Sequence, residues 1–378
     1  MTGSRYAMKW LAAAGMAALV ASCGRGEASK DAPTPGQQID APAAAAPDAG
    51  PVTTLTSRVE SKNFRDWKVT CDNGATCAAI APSVDEAQGW LSVEMAPETA
   101  AVPKVLVGVW LDNTDNTSRA TPVTLTIDGR SFRTEPVADA DIPTARVVAA
   151  DALNAVRALA SGKVATARAA GETVPISLTG ASASLLWIDD RQGRLDTPNA
   201  LIRVGQRAAS VQGPALPVIT PAPAVAQGQL GGDNQVLPKS IEILPAVREC
   251  RSENSGGGDV ISAKLGPQQE LWGVPCGSGA YNFTNNLYIT GPNGQNPVTA
   301  RLPQADGTTT NEVVNGFYNA EKRELVAFAK GRGIGDCGIA QTWVWTGRSF
   351  ALALEQSMDS CNGLPPDQWP ISYRAKVQ

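Results

Sequence analysis

Phe64-Arg65-Asp66-Trp67-Lys68-Val69-Thr70-Cys71 alternates aromatic, apolar and polar residues and runs into Asp72-Asn73-Gly74. Period-two alternation ending in a tight-turn tripeptide predicts a strand and a hairpin. The same pattern returns on both sides. Trp90 to Met95, Val105 to Trp110 and Pro122 to Ile127 read as strands, the last followed by the turn signal Asp128-Gly129. The period then changes. Apolar residues at 149, 152, 153, 156, 159 and 160 predict a helix over 149–161, with Gly162 in the C-cap place. Val174 to Leu178 reads as a strand, and 182–192 as a second helix with Ser182 as N-cap and Gly193 past its end. Leu201 to Val204 is expected to close this unit.

Pro214, Pro217, Pro221 and Pro223 are too closely spaced for a regular element, so 206–238 is expected to be a Pro/Ala-rich linker. Beyond it a charged strand-like stretch from Lys239 to Cys250 opens a second unit. Glu270 to Cys276, Asn286 to Ile289, Glu324 to Phe328 and Thr342 to Trp345 alternate between Gly, Asn, Asp and Pro turns, as in an antiparallel meander without helices. Trp369 to Ala375 is expected to be an edge strand, because Pro370 cannot donate within a central one. The expected fold class is mainly β with a few helices (α+β): two antiparallel β-rich domains, 59–205 and 239–378, after a disordered lipidated tether.

The N-terminus supplies the tether. Arg5 and Lys9 precede an uncharged apolar run of 12 residues from Trp10 to Ala21, and Val20-Ala21-Ser22-Cys23 has the form of a lipobox. The run is shorter than the roughly 20 residues a spanning helix needs, so 1–22 reads as a cleaved lipoprotein signal peptide. Cys23 is then the lipidation residue, with diacylglycerol on its sulfur and an acylated, palmitate-type amino end. An ordinary signal peptide cut after Ser22 is the alternative. Gly24, where aspartate would favour inner-membrane retention, points to the periplasmic side of the outer membrane. Residues 23–58 are rich in Ala, Pro, Gly and Asp and cannot bury enough apolar surface to offset their ordering entropy. As a coil, about 35 such residues reach roughly 33 Å.

The chain has 378 residues, 43% of them hydrophobic, enough for two cores. Its formal charge is −4, and loss of Arg5 and Lys9 with the signal makes the mature chain −6. Nucleic acid is therefore excluded as an expected partner, and lipid rather than a basic patch makes the membrane contact. Histidine is absent altogether, which removes Ser-His-Asp and Cys-His catalysis and histidine metal sites. With Cys23 assigned to lipid, six of the seven cysteines remain, an even number that reads as disulfides in an exported chain. Six cysteines allow 15 pairings; if the first two belong to one domain and the last four to the other, three are left. Sequential pairing, Cys71 with Cys77, Cys250 with Cys276 and Cys337 with Cys361, closes the shortest loops and is expected. Without histidine or Cys-x-x-Cys spacing, a cysteine-metal site is not expected.

Several motifs carry chemistry only on paper. Gly333-Ile334-Gly335-Asp336-Cys337-Gly338 has the letters of a dinucleotide loop, but a strand rather than a helix follows, so a disulfide-pinned turn is expected. Asp112-Asn113-Thr114-Asp115-Asn116 lacks the glycine and distal glutamate of an EF-hand and reads as an exposed polar turn. Asp189 and Asp190 point about 100° apart on a helix and read as a charged helix end, not a catalytic pair. Gly180 to Ser184 lacks the second glycine of a serine elbow and reads as helix capping. Trp272, Trp343 and Trp345 read as core rather than as a binding platform.

Phe64-x-x-Trp67-x-Val69-x-Cys71, Ile176 to Arg194, Gly331-Arg332-Gly333-x-Gly335-Asp336-Cys337-Gly338 with Trp343-Val344-Trp345, and Trp369-Pro370 together resemble a bacterial envelope family catalogued as domain of unknown function 1176. The resemblance spans about 60–378. The first half is also similar to the invasion-associated locus B family. Both resemblances imply an exported, disulfide-containing β-rich protein and supply no catalytic residue. No catalytic residue, metal or cofactor is expected. The expected function is a non-enzymatic binding or structural module with an envelope protein or cell-wall partner. The alternatives are an inhibitor of a cell-wall lytic enzyme and a glycan hydrolase working through carboxylates alone.

Overall fold

The computed structural model describes residues 52–84, 88–111, 121–227, 230, 236–253 and 258–378. Cys23, its lipobox and Asp112 to Asn116 lie outside the described residues. The fold is mainly β with a few helices, as expected.

After a short strand β1 (Val52–Thr54), the opening stretch proves to be a hairpin in itself. Strands β2 (Glu60–Phe64) and β3 (Trp67–Cys71) meet through Arg65 and Asp66, with Arg65 at φ 56. β4 (Cys77–Pro82), β5 (Gly89–Met95) and β6 (Lys104–Val109) follow, all antiparallel. β7 (Thr124–Ile127) and β8 (Arg130–Phe132) form the expected hairpin, with Asp128 and Gly129 at φ 46 and 80. β9 (Thr134–Pro136) and β10 (Thr144–Val147) complete a seven-stranded sheet of order β2-β3-β4-β5-β6-β10-β9.

Helix α1 (Ala149–Ser161) ends at Gly162, as its spacing predicts. β11 (Ala165–Ala169) and β12 (Glu172–Ile176) join β7 and β8 in a second sheet. Helix α2 (Ala181–Arg191) starts one residue early. Its N-cap is Gly180 at φ 107, with no side-chain cap bond, because a Cβ there would lie 1.9 Å from the Phe64 carbonyl oxygen; Ser182 is exposed. The odd-numbered residues Val69, Ala79, Leu91, Val93, Val105 and Val107 share one core with Val156 and Leu159 of α1 and Leu185 and Ile188 of α2. Leu201 to Val204 forms no strand. Its amides turn inward to a side chain described below.

The segment expected as a linker is partly ordered. β13 (Ser210–Gln212) pairs in parallel with β1, so the last tether residues also form a strand, and β14 (Val218–Ile219) pairs at the far end of the chain. The expected strand over Lys239 to Cys250 is instead two helices, α3 (Lys239–Glu242) and α4 (Pro245–Glu253). Pro245 sits at the first position of α4, where a missing N–H costs no helical bond. Ile241, Leu244 and Val247 recur every three residues and pack on Trp272 and Val274.

β15 (Ile261–Gly266), β16 (Gln269–Ser278), β17 (Phe283–Thr290) and β18 (Val298–Thr299) form one antiparallel sheet. β19 (Leu302–Pro303) and β20 (Thr309–Thr310) pair with each other, and β21 (Glu312–Val314) pairs with β17. β22 (Phe317–Asn319), β23 (Glu324–Lys330), β24 (Gly338–Trp345), β25 (Phe350–Met358) and β26 (Ile371–Arg374) form a meander in sequence order. The terminal β27 (Lys376–Val377) receives β14. Leu271, Leu287, Leu325, Trp343, Trp345 and Leu352 belong to this half's core.

The two halves are joined by a third core. Ile80, Trp90, Leu106 and Ile142 of the first cluster with Met358, Leu364 and Trp369 of the second. Trp90 lies flat over Gly108, where a Cβ would come within 2.5 Å of its indole. β26 is the edge strand expected from Pro370, and Asn73 covers its edge. The Asn73 amide donates to the Arg374 carbonyl at 2.9 Å and its oxygen accepts from the Arg374 N–H at 2.9 Å, as a neighbouring strand residue would. The Arg374 guanidinium reaches Asp72 at 2.6 Å and the Thr76 hydroxyl at 2.5 Å. Gln227 covers Lys264 of β15 in the same way, at 2.8 and 3.0 Å. From Ala49 onward the chain packs as one compact unit.

Asn73→Leu keeps the branching at Cγ but strands a backbone N–H and C=O of β26. It is expected to lower stability in urea unfolding by about 2–3 kcal/mol, since each unsatisfied buried group costs about 1–3 kcal/mol. The exposed Asn63→Leu is expected to stay within about 0.5 kcal/mol. Equal midpoints for the two variants would contradict the edge-cover role.

Candidate functional site

Where the lobes meet, a groove of about 150 Å³ runs over the outer face of the first sheet. Its floor is a grid set by strand register. Ile80, Ser92 and Leu106 form one rung across β4, β5 and β6, and Ala78, Glu94 and Lys104 form the next. These even-numbered positions face away from the first core, which takes Leu91, Val93 and Val105. The opposite wall is Gln356 of β25 and the segment from Asp367 to Ile371.

The wall segment is held at several points. The Trp369 indole donates to the Leu364 carbonyl at 2.9 Å, and the Gln356 amide donates to the Trp369 carbonyl at 3.1 Å. Trp110 donates to the Gly363 carbonyl at 2.5 Å, and Lys68 pairs with Asp359 at 2.5 Å, both across the lobe junction. Cys361 is bonded to Cys337. Beside that bond, buried Asp336 accepts two Arg332 bonds at 2.7 and 2.6 Å and the Gly363 N–H at 2.7 Å. Burial pushes the Asp336 carboxyl up, but the Arg332 hydrogen bonds, the Gly363 N–H and the Arg332 charge together outweigh it, so it lies below the ordinary carboxylate value.

The groove's own charges are differently placed. Glu94 is half-buried, and Lys104 and Asp367 are exposed. Although its side chain is exposed, the packed wall behind it partly desolvates the Asp367 carboxyl and raises it above its ordinary value, with a smaller push from the Asp141 charge and against the Gln368 amide, which donates to it at 2.7 Å. Among the described residues neither Glu94 nor Asp367 has a cation within ion-pair reach.

The residues singled out by sequence scatter over the fold. Gly333 to Gly338 is the disulfide-pinned turn, leading straight into β24. Asp189 is not part of an exposed helix end. It is fully buried and accepts the N–H groups of Leu201 at 2.7 Å, Ile202 at 2.8 Å and Arg203 at 3.3 Å, which is why that segment makes no strand; Asp190 points outward. Ser184 is buried inside α2 and caps nothing. Trp272, Trp343 and Trp345 are core residues. The remaining cysteines are joined as Cys71–Cys77 and Cys250–Cys276. Asp336, Cys337 and Cys361 lie close enough together to suggest a metal site, but the two sulfurs are bonded to each other and the carboxylate is committed to Arg332. Sequence reading missed Ser92, Glu94, Lys104 and Asp367. Strand alternation put the first three on the outer face, but it carries no sign that another lobe covers that face.

Residues 61–376 match the family described as "Protein of unknown function (DUF1176)". The chain belongs to the DUF1176 family. Both walls of the groove and all three disulfides fall inside the DUF1176 region. A relative in Escherichia coli (strain K12), named "Uncharacterized protein YpfG", is 29% identical over 349 residues, covering 85% of this chain and 95% of the relative. No solved structure matches this DUF1176 chain.

Because the folded Asp336 carboxyl sits below its ordinary value of 3.8, it adds stability that is fully present above about pH 4 and is lost as pH falls through the lowered value. Thermal melts of the DUF1176 protein and its Asp336→Asn variant are expected to differ most at pH 5 to 7 and to converge below about pH 4. A gap unchanged down to pH 2.5 would contradict the Arg332 and Gly363 arrangement.

Proposed function

We propose that this DUF1176 protein is an exported envelope lipoprotein, lipidated at Cys23 and held on the periplasmic side of the outer membrane. Its folded part is a non-enzymatic module that binds an envelope protein or cell-wall partner through the groove between its lobes. The observation that carries this reading is the cysteine arrangement. Six of the seven cysteines are joined in three disulfides within the fold, which suits an oxidising compartment and leaves Cys23 over for lipid. Two acyl chains or more hold firmly where one is marginal. The likeness of the first half to the invasion-associated locus B family adds only the same expectation of export.

A binding role fits the groove better than catalysis does. A carboxylate-only glycan hydrolase needs one carboxyl kept protonated in an apolar, water-poor pocket opposite a second. Asp367 is exposed and Glu94 half-buried, so solvent reaches both.

In cells, Cys23→Ser is expected to move the protein from the membrane fraction to the soluble periplasmic fraction. Continued membrane retention would overturn the lipid assignment. Proximity labelling from the wild-type protein is expected to return reproducible envelope neighbours, and their absence would remove the binding role.

A further inference from the structure

We propose that the groove between the lobes binds a primary ammonium group carried on a small aliphatic body, the chemistry of a peptide amino end or of a diamino acid side chain. This rests on reading the groove as a binding site, and it adds the class of ligand.

Three acceptors line the groove: the Ser92 hydroxyl, the Glu94 carboxylate, and the Asp367 carboxylate, which accepts only the neighbouring Gln368 amide at 2.7 Å. Ser92 is only 7% exposed, and its hydroxyl has no hydrogen-bond partner among the described residues, although it stands in the floor between Ile80 and Leu106. What remains exposed of Ser92 opens into the groove, so its hydroxyl is free to meet a donor there. Glu94 lies on the next rung, and Asp367 stands on the far wall; among the described residues neither forms an ion pair.

An ammonium group carries three N–H donors and no acceptor, which matches one hydroxyl and two carboxylates. An anion would meet both carboxylates, and an alcohol would leave at least one of them without a counter-charge. Around these acceptors the apolar side chains of Ile80, Leu106, Trp369 and Ile371 alternate with the amides of Gln356 and Gln368, so an aliphatic body meets apolar surface beside the polar groups. A space of about 150 Å³ is the size that holds a benzene-sized molecule, so the carrier is short. Lys104 is the opposing element. It is the register partner of Glu94 across β5 and β6, yet it makes no ion pair among the described residues and stays exposed. Its charge at the rim works against an incoming cation.

The probe is n-butylamine, titrated by calorimetry into the mature full-length protein in non-ionic detergent at pH 7, with n-butanol and butyrate as matched controls. Butylammonium is expected to bind saturably with a Kd on the order of 1 mM, and butanol about tenfold more weakly or not at all. Glu94→Gln and Asp367→Asn should each weaken the amine about tenfold, and Ser92→Ala about threefold. Lys104→Ala should tighten it about twofold to threefold, a gain that a merely structural role for these residues would not produce. Thermal melts check that each variant folds, and if Ser92→Ala does not, the comparison of amine with alcohol on the wild-type protein still decides. No saturable binding up to about 100 mM, equal binding of butanol, or indifference to both carboxylate changes would overturn the proposal. Membrane release of Cys23→Ser and proximity labelling are independent of this titration, so its failure alone leaves the lipoprotein reading standing.

Discussion

A carboxamide side chain can imitate a strand, and much of this molecule depends on one that does. Asn73 offers one donor and one acceptor to the backbone of Arg374, while Asp72 and Thr76 take the guanidinium of the same residue. An edge strand presents unpaired N–H and C=O groups that must be covered or left to pair elsewhere. Here the cover comes from a turn in the other lobe, so the edge of one sheet and the orientation of the other are settled together. Gly74 completes the fit, since a Cβ there would crowd Leu216 at 2.9 Å. The disulfide between Cys71 and Cys77 brackets this turn, so the chain is anchored on both sides of the clamp.

The groove is a by-product of that docking. Two mainly β lobes meet along the outer face of β4, β5 and β6, and the apolar end of the face fuses into a shared core around Trp90 and Trp369. The polar end stays open. Ser92, Glu94 and Lys104 therefore face a wall that belongs to residues more than 250 positions later in the chain. The wall's position is over-determined by Cys337–Cys361, by Asp336 and by the Lys68–Asp359 and Trp110–Gly363 contacts. A site built on such fastenings is preorganised, and a ligand there does not have to order it first.

Three places show how local reading goes astray in one consistent way. Asp189 looked like a surface charge because it sits near a helix end with Asp190; in the fold it gathers three amides of the 201–203 segment. Lys239 to Cys250 reads as a charged strand, whereas Ile241, Leu244 and Val247 pack from the two helices α3 and α4. Gly180 to Ser184 reads as helix capping with Ser182 as N-cap, but Gly180 is the N-cap of α2 without a side-chain bond and Ser184 is enclosed in the helix. In each case the deciding partner is remote or a backbone group, and residue type alone does not reveal it.

What the sequence by itself determined is what depends on near neighbours. Alternation placed many of the longer strands, a three-to-four-residue period placed α1 to the residue, and Pro370 marked an edge strand, because each reflects which side of a local element meets water. The mainly β class and the family resemblance followed from the same short-range patterns. Only the tertiary structure decided that Asn73 covers β26, that 210–212 and 218–219 are strands within the expected linker, and that Ser92 and Glu94 look across a groove at Asp367. Those facts require two surfaces distant in the chain to meet, and the free energy that brings them together comes from the apolar contacts of Ile80, Trp90, Leu106, Met358, Leu364 and Trp369, whose pairing no local period encodes.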